Sequence, residues 1–355
     1  MKDNTKQNCA ISPTHILGAG WAGMIAAEFW PTAAIYERDP YAATLTGTTG
    51  AFIRCREPNV AVILQAPSRM VMSNRAVADS AWNTHRDVQP RDAALYARSV
   101  TPGGALAARS IQRCALSGCD NSNTERYLLL PEDLVVARRR AGRRVHYGVA
   151  HAAVEEVLRG ATPDAPVVST LPIELTLSII GSDFAVPPRP ELPVTQQGFV
   201  LETNLLRCDL DFCWTVYVPC SSTGIVRITI AGGRAVVEIM SNERTAESNK
   251  GVIEAEAAQA LFQLFDVHSS DIVQWCWHRT TKFAAVPEYV AWAREVVYRL
   301  SVERGIYSLG RAATGRRGVM VDDLPQDCRV ITKLLRARSA RDYKSSLDVT
   351  REDGQ

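Results

Sequence analysis

The stretch HILGAGWAGMIAAEFWPTAAIYERD, from His15 to Asp39, combines three spaced glycines, an apolar run and an acid in one short segment. A short apolar run stops at Gly18, and Gly20 and Gly23 complete a G-x-G-x-x-G pattern where a helical segment begins. This order predicts a strand, a tight turn and a helix whose N-terminal N–H groups and positive dipole end can hold a phosphate. The first glycine makes the turn, the second lets the backbone approach a pyrophosphate, and the third lets helix and strand pack closely.

A second apolar segment, AAIYE, ends on the acid Glu37. A carboxylate at the end of the second strand can bind the ribose hydroxyl groups of an adenosine, and it favours FAD or NAD over NADP. We also count Trp21, Ala22 and Arg38 among the expected cofactor-binding residues. The alternative is that the glycines only open a helix, but strand, glycines, helix, second strand and terminal acid come in the order that favours a nucleotide site.

The composition is that of an ordinary globular protein with enough residues for two domains. The chain has 355 residues, of which 46% are hydrophobic and 22% charged, and its formal net charge is +2. This near balance gives no global electrostatic argument for a nucleic-acid coat or a membrane surface. The nine cysteines are irregularly spaced and have no zinc-binding pattern, so we expect reduced thiols, no metal and a cytoplasmic location.

The segment GIYSLGRAATGRRGVMVDDLPQDCRVITKLL, residues 305–335, predicts a strand, a glycine-containing loop and a helix opened by Pro325. Here the sequence resembles the amine-oxidase and UDP-galactopyranose-mutase branch of the FAD-binding proteins. The resemblance implies that this element returns to the N-terminal unit and cradles a flavin, which favours FAD over NAD. It implies further cofactor-binding residues at Gly310, Arg311, Val321, Asp322 and Leu324. For this segment alone, an ordinary βα unit is the alternative.

Four further motifs, TGAFIRCREP, ERYLLLPEDL, PVVSTLP and HRTTKFAAVP, occur in this order. Together they resemble a group of short bacteriophage FAD oxidoreductases, over most of the chain from Thr14 to about Leu335. Some members of that group act in thymidine hypermodification: they oxidise a glycine attached through its nitrogen to the thymine methyl carbon and leave an aminomethyl group. The resemblance implies an amine-bearing substrate, at its sharpest a modified thymine in DNA, with molecular oxygen as the electron acceptor and the host cytoplasm as the location.

We therefore predict an α/β fold, with a discontinuous Rossmann-like FAD-binding domain and an inserted α+β substrate domain that contains an antiparallel sheet. The expected segments are 14–60, 120–182 and 280–338 for the FAD-binding domain, 61–119 and 183–279 for the substrate domain, and 339–355 for a flexible tail.

Local patterns predict individual elements of these domains. PEDLVVARRRAGRRVHYG predicts a helix followed by a strand, and IEAEAAQALFQLF predicts a helix. APVVSTLP predicts a buried strand that stops at Pro172. The resemblance implies that this strand, which ends near Ser169 and Thr170, lies close to the dinucleotide. ITIAGGRAVVEI has a Gly-Gly centre between β-branched residues, which predicts a β-hairpin.

Lys282 is the favoured catalytic residue, because related oxidases use a lysine to hold a water near the reactive edge of the flavin. A solvated surface lysine is the alternative. Arg54 and Arg56 share one side of a predicted strand, Arg54 as a cofactor-binding and Arg56 as a substrate-binding candidate. A pair of exposed arginines is the alternative there.

The other substrate-binding candidates lie in the predicted substrate domain. Arg227 and Arg234 are candidates for binding an anionic group. Trp277 and His278, with Trp275, are candidates for forming an aromatic wall over the flavin or for stacking a base. Core packing is the alternative for at least one tryptophan. The basic run Arg138–Arg144 is able to contact a nucleic-acid backbone, but we interpret it as the solvated C-terminal end of a helix.

The favoured function is an FAD-dependent oxidase of a C–N bond in an amine or amino-acid-like group, and its sharpest form yields 5-aminomethyl-deoxyuridine from a glycinyl-modified thymine. A flavin-dependent sugar-nucleotide mutase and a non-catalytic nucleotide-binding module are the alternatives. Bound yellow cofactor argues against the last, and peroxide formation on adding an amine separates the first from the second.

Overall fold

The computed structural model describes a large part of the chain, and the account below is confined to that part. The described residues are 12–44, 53–55, 60, 69–77, 82, 85–87, 89, 91–92, 95–96, 124–181, 184–191, 195–206, 212–218, 223–240, 243–283, 287–316 and 321–337. The chain divides into two compact units: unit 1 comprises residues 1–44, 136–189 and 291–355, and unit 2 comprises residues 45–135 and 190–290. The borders expected from the sequence, at residues 60, 120, 182 and 280, stay predictions.

Strands and helices are numbered in chain order over these residues. The strands are β1 His15–Leu17, β2 Ala34–Tyr36, β3 Ile53–Cys55, β4 Arg69–Val77, β5 His85–Asp87, β6 Thr124–Leu129, β7 Val145–His146, β8 Val167–Ser169, β9 Thr195–Asn204, β10 Phe212–Tyr217, β11 Ile225–Ala231, β12 Arg234–Ile239, β13 Cys276–Phe283 and β14 Ile306–Ser308. The helices are α1 Trp21–Phe29, α2 Pro131–Ala141, α3 His151–Gly160, α4 Ile173–Ile180, α5 Glu243–Ser248, α6 Lys250–Phe265, α7 Pro287–Arg304, α8 Arg311–Thr314 and α9 Leu324–Ala337. None of the described helices combines the length and apolar character needed to cross a bilayer.

Unit 1 contains a five-stranded sheet in the order β14-β8-β1-β2-β7, and every neighbouring pair is parallel. Its central strands are short and almost wholly apolar: Ile16, Leu17, Ile35 and Val168 are fully buried. Continuous apolar strands are typical of parallel sheets, because both faces of such sheets are covered. The α1 helix packs against β1 and also against α9, so segments about 300 residues apart in the sequence meet in one unit.

Unit 2 contains a nine-stranded sheet in the order β13-β9-β12-β11-β10-β4-β6-β3, with β5 beside β4. The described pairs are antiparallel except for β10 and β4, which run parallel. One face forms an apolar core with α6, in which Leu201, Ile228 and Val237 pack with Ala257 and Leu261. Residues of the other parity therefore lie on the opposite face.

The predicted α/β fold with an inserted antiparallel sheet is confirmed, and so are the local elements. The basic segment forms α2 and then β7, and APVVSTLP forms the buried strand β8. The Gly-Gly hairpin joins β11 to β12, and both Gly232 and Gly233 have positive φ, at 53° and 74°. Such a pair of left-handed residues matches the right-handed twist of the strands on either side.

Close packing of α1 on β1 depends on Gly23. A Cβ atom at this position would lie 1.8 Å from the carbonyl oxygen of Gly18 and 3.7 Å from a methyl group of Ile16. The first of these neighbours is backbone, which cannot turn aside as a flexible side chain would. The third glycine of the pattern therefore has a packing role in the structure, as the sequence predicts.

We expect Gly23→Ala to lower the free energy of unfolding by about 3 kcal/mol, the upper part of the range for overpacking, because its methyl group overlaps a carbonyl oxygen. The matched control is Gly160→Ala at the end of α3, where no described atom lies within 4 Å of the added Cβ. That change should alter stability by less than about 1 kcal/mol. Urea unfolding followed by circular dichroism measures both, and equal midpoints for the two variants would contradict the packing argument.

Candidate functional site

Four chain turns meet at the carboxyl edge of the five-stranded sheet in unit 1. Gly18 follows β1, Glu37 follows β2, Thr170 follows β8, and Gly310 lies just beyond β14. In parallel sheets the crevice outside the carboxyl ends of the strands is where ligands bind. The structure therefore brings together, on neighbouring strands, residues that are far apart in the sequence.

The first turn is closed by a contact between Gly18 and Thr170. Gly18 has φ of +94°, and a Cβ atom there would lie 2.3 Å from the Thr170 hydroxyl oxygen. Thr170 donates from both its backbone N and its Oγ1 to the carbonyl oxygen of Leu17, at 3.0 and 2.7 Å. Ser169 is fully buried, with its hydroxyl 3.3 Å from that of Thr176. Thr170 thus shapes the turn itself, and the side chain of Ser169 supports α4.

The N-terminus of α1 is open at Gly20. Gly20 is the N-cap residue, with φ of −72° and ψ of −173°, and no side chain caps the helix. The first turn of α1 contains no acidic residue, and no described atom lies within 4 Å of the Cβ position of Gly20. Trp21 and Ala22 are partly exposed beside it. N–H groups and the positive dipole end of α1 are therefore available to an anion.

The turn that follows β14 also reaches the N-terminal end of α1. Gly310 has φ of +96°, and a Cβ atom there would lie 3.3 Å from the Cβ atom of Ala22 in the first turn of α1. Leu309 donates its backbone N to the carbonyl oxygen of Ser169 at 2.9 Å, which ties this turn to β8. The remaining predicted residues of the element are the exposed Arg311, the half-buried Val321 and Asp322, and the buried Leu324.

Glu37 is a buried acceptor for three protein donors. Its Oε2 accepts from the backbone N of Ala19 at 2.7 Å and from Nη2 of Arg138 at 3.1 Å. Its Oε1 accepts from the backbone N of Asp39 at 3.0 Å. A carboxylate has about four acceptor positions, so these bonds leave one position on Oε1 for another donor. Arg38, by contrast, is exposed.

Arg138 is a functional candidate that the sequence interpretation missed. Its side chain is only 2% exposed and forms ion pairs with Glu37 and with Asp39, each at 3.1 Å. Nε also donates to the carbonyl oxygen of Ala19 at 2.7 Å, and Nη1 donates to that of Thr44 at 2.6 Å. The solvated-end interpretation is therefore wrong for Arg138, although Arg139, Arg140 and Arg143 are exposed as expected.

A signal for this burial was present in the sequence. After Pro131, which is also buried, the buried residues of α2 are Leu134, Ala137, Arg138 and Ala141. They have the i, i+3, i+4, i+7 spacing of one helix face, so Arg138 occupies a position in an apolar stripe. An arginine at such a position predicts a buried acidic partner, because an unpaired buried charge is costly.

Among the predicted substrate residues, Trp277 and His278 lie on opposite faces of the sheet in unit 2. Trp277 donates Nε1 to Glu254 of α6 at 2.6 Å and packs edge-on against Phe199. His278 lies with Nε2 at 3.7 Å from Oε2 of Glu202. Adjacent residues of a strand point in opposite directions. The expected joint aromatic wall is therefore wrong, and core packing applies to Trp277.

Both arginines expected to bind anions are paired with carboxylates. Arg227 forms a hydrogen-bonded ion pair with its cross-strand neighbour Glu238, and its guanidinium lies 5.6 Å from the centre of the Tyr96 ring. Burial lowers the pKa of Arg227, but the neighbouring Glu238 carboxylate raises it, and the pKa lies above the usual value for arginine as a result. Arg234 donates Nη2 to Glu132 at 2.7 Å and lies with Nε at 3.1 Å from Glu202.

The other candidates also belong to unit 2 or fall outside the description. Arg54 lies in β3, opposite Leu128 of β6. Lys282 lies in β13, where its backbone pairs with Gln196 of β9. Arg56 lies outside the described residues. The assignments of Arg54 to cofactor binding, Arg56 to substrate binding and Lys282 to catalysis stay predictions.

A scan against protein-family models found no match, and a search among curated proteins found none either. Solved structures, however, share the fold. Reduced UDP-galactopyranose mutase has 11% sequence identity and a TM-score of 0.56, covering 95% of this chain and 98% of that one. CtdE in complex with FAD and a substrate has 12% identity and a TM-score of 0.51, with coverage of 94% and 83%. A triple mutant of putrescine oxidase has 13% identity and a TM-score of 0.50, with coverage of 92% and 99%.

We expect Glu37→Gln to destabilise the protein by about 3 kcal/mol or more. A glutamine replaces one acceptor oxygen with an NH2 group, which is a donor. In one orientation this group would face the donors of Ala19 and Arg138, and in the other it would face the backbone N–H of Asp39. The change also removes negative charge next to Arg138. The control is Glu28→Gln, because Glu28 forms only a more exposed ion pair, with Arg140, worth about 0–1 kcal/mol. Chemical unfolding compares the two variants, and equal losses would show that the buried donors do not require a carboxylate.

Proposed function

We propose that this protein binds FAD and oxidises a carbon–nitrogen bond of an amine or amino-acid-like substrate. The carboxyl edge of the five-stranded sheet carries the proposal, because the Gly18 turn, the open Gly20 cap and the Glu37 carboxylate lie there together. The fold likeness to CtdE, solved with FAD, and to putrescine oxidase supports the same cofactor and the same class of substrate.

The residues at this edge fit a dinucleotide. The uncapped end of α1 suits a pyrophosphate, and the space at Gly20 admits it. The open acceptor position of Glu37 suits a ribose hydroxyl, whereas the carboxylates of Glu37 and Asp39 oppose an added 2′-phosphate. The Gly310 turn against Ala22 provides a second element at the phosphate end, which supports FAD in preference to NAD.

The proposed cofactor set is the one expected from the sequence, with Arg138 behind it. It comprises Gly18, Gly20, Trp21, Ala22, Gly23, Glu37, Arg38, Arg54, Ser169, Thr170, Gly310, Arg311, Val321, Asp322 and Leu324. When bound, FAD supplies two-electron oxidation of a C–H bond next to nitrogen, which requires a neutral and correctly oriented amine.

The polar face of the sheet in unit 2 is the proposed substrate surface. His278, Glu202 and Arg234 lie on it, as do Arg227 and Glu238. Each of the two guanidinium groups is paired with a carboxylate, so neither presents an unpaired positive charge to an anion. This charge balance favours an amine over an anionic group. Arg56, Arg227 and His278 stay substrate-binding predictions, whereas Trp277 lies on the opposite, core face of this sheet. Lys282 stays the catalytic prediction.

The sharpest form of the proposal is a glycine-modified thymine in phage DNA as the substrate and oxygen as the acceptor. It rests on the four motifs that resemble phage oxidoreductases. Two of these motifs supply parts of the cofactor edge: PVVSTLP provides Thr170 against Gly18, and ERYLLLPEDL leads into the helix that contains Arg138. A sugar-nucleotide mutase is the rival, and it differs by requiring a flavin reduced beforehand.

Purified protein should be yellow and should release FAD, not FMN, on denaturation. Gly20→Val should lose the cofactor, because its side chain fills the open space at the helix end. The control is Gly251→Val on the exposed side of α6, where no described atom lies within 4 Å of the added Cβ, and it should retain full occupancy. Flavin absorbance per protein measures the result. A colourless wild type that binds NAD but not FAD, or a fully occupied Gly20→Val variant, would contradict the assignment.

With oxygen and water, single-stranded DNA that contains a glycinyl-thymine should yield an aminomethyl base, glyoxylate and hydrogen peroxide, because the imine formed by oxidation of the glycine is hydrolysed. Lys282→Met should slow flavin reoxidation or imine hydrolysis at normal FAD occupancy, because loss of an ammonium removes positive charge that favours reaction with oxygen. Lys333→Met on the exposed side of α9 is the control. Stopped-flow absorbance follows reduction and reoxidation. Unchanged rates for Lys282→Met would make Lys282 a surface lysine, and turnover of a sugar nucleotide without peroxide would favour the mutase.

A further inference from the structure

The strongest unexplained feature of unit 1 is a buried arginine beside the candidate site. Arg138 is 2% exposed, and its guanidinium makes four hydrogen bonds, to Ala19, Glu37, Asp39 and Thr44. The sequence separations of these bonds range from 94 to 119 residues. A single side chain on α2 therefore joins the glycine turn, the end of β2 and the segment that follows it.

The two polar groups of Ala19 are held from opposite sides. Its N–H donates to Oε2 of Glu37 at 2.7 Å, and its carbonyl oxygen accepts from Nε of Arg138 at 2.7 Å. Arg138 in turn donates Nη2 to the same Oε2 atom. The three residues close a ring of hydrogen bonds, and Gly20, the cap of α1, is the next residue along the chain. The orientation of the cap is thus linked to the guanidinium.

The same ring determines where the free acceptor of Glu37 points. Oε2 is occupied by Ala19 and Arg138, so only Oε1, which already binds the backbone N of Asp39, has an acceptor position left. Without Arg138 this carboxylate would have a neighbouring buried acid, Asp39, and no counter-charge within the ring. Two carboxylates and one guanidinium leave a single negative charge, which suits a neutral ribose diol.

We propose that Arg138 is a positioning residue of the cofactor site, which holds the phosphate turn through Ala19 and the ribose acceptor through Glu37. The inference rests on the proposed function and deepens it, since it states how the adenosine end of the dinucleotide is recognised. Arg138 does not need to touch the cofactor for this role. Its planar fork reaches groups in two directions, whereas an ammonium is a single point of charge.

The test compares Arg138→Lys and Arg138→Met with the matched control Arg140→Met. Arg140 lies on the same helix and pairs with Glu28 at the surface. The apoproteins are titrated with FAD and separately with ADP, which carries the adenosine, ribose and pyrophosphate but no flavin. Thermal melts of the apoproteins, with and without ligand, give stability independently of affinity.

Arg138→Lys should weaken FAD and ADP by the same factor, about 10- to 100-fold, the range known for outer-shell partners of metal sites. Arg138→Met should bind both ligands at least as weakly as Arg138→Lys. If Arg138→Met does not fold, the conclusion is drawn from the lysine variant alone. Arg140→Met should bind both ligands like the wild type. At saturating FAD, the absorbance spectrum of the flavin in Arg138→Lys should match that of the wild type.

Two outcomes overturn the inference while the proposed function stands. In the first, Arg138→Lys melts at a lower temperature but its folded form binds FAD and ADP with wild-type affinity, so the residue is only structural. In the second, FAD affinity falls but ADP affinity does not, so the residue acts elsewhere on the cofactor. A wild type that binds neither ligand overturns the proposed function, and the inference with it.

Discussion

The buried ion pair between Arg138 and Glu37 is the interaction on which the carboxyl edge of the parallel sheet depends. It joins a helix to the end of β2, and the same two residues bind the N–H and the carbonyl group of Ala19 in the glycine turn. Charges this deep are unfavourable unless they are paired and hydrogen-bonded. Part of that hydrogen bonding comes from the N–H and the carbonyl group of Ala19, so the geometry of the turn and the stabilisation of the charges depend on each other.

Local patterns in the sequence are sufficient to predict most of the fold. They are not sufficient to predict contacts between residues far apart in the sequence. The strand, the three glycines and the acid of the first motif report on one turn and one strand pair. The Gly232-Gly233 hairpin is equally local. The burial of Arg138 is not evident from its charged neighbours in the basic run, because it depends on acids about a hundred residues earlier. The apolar stripe of α2 was the available signal.

In unit 2, strand geometry separates side chains that are neighbours in the sequence. Trp277 and His278 are adjacent residues of β13, and adjacent residues of a strand point to opposite faces of the sheet. Once β13 pairs with β9, one side chain belongs to the core under α6 and the other lies beside Glu202. The pairing of Arg227 with Glu238 depends on the register of β11 and β12, which the hairpin turn specifies and which neither residue's immediate neighbours indicate.

The long sequence separation within the Arg138 cluster has a consequence for the newly made chain. Glu37 and Asp39 leave the ribosome 101 and 99 residues before Arg138. At ordinary synthesis rates the two acids wait for their counter-ion for about 5–20 s. During that interval the glycine turn has been synthesised, but the Arg138 side chain that binds its Ala19 carbonyl group has not. We therefore expect this edge of the sheet to reach its folded geometry only after α2 has emerged, so that loading of the proposed cofactor cannot begin while the chain contains only its N-terminal segment.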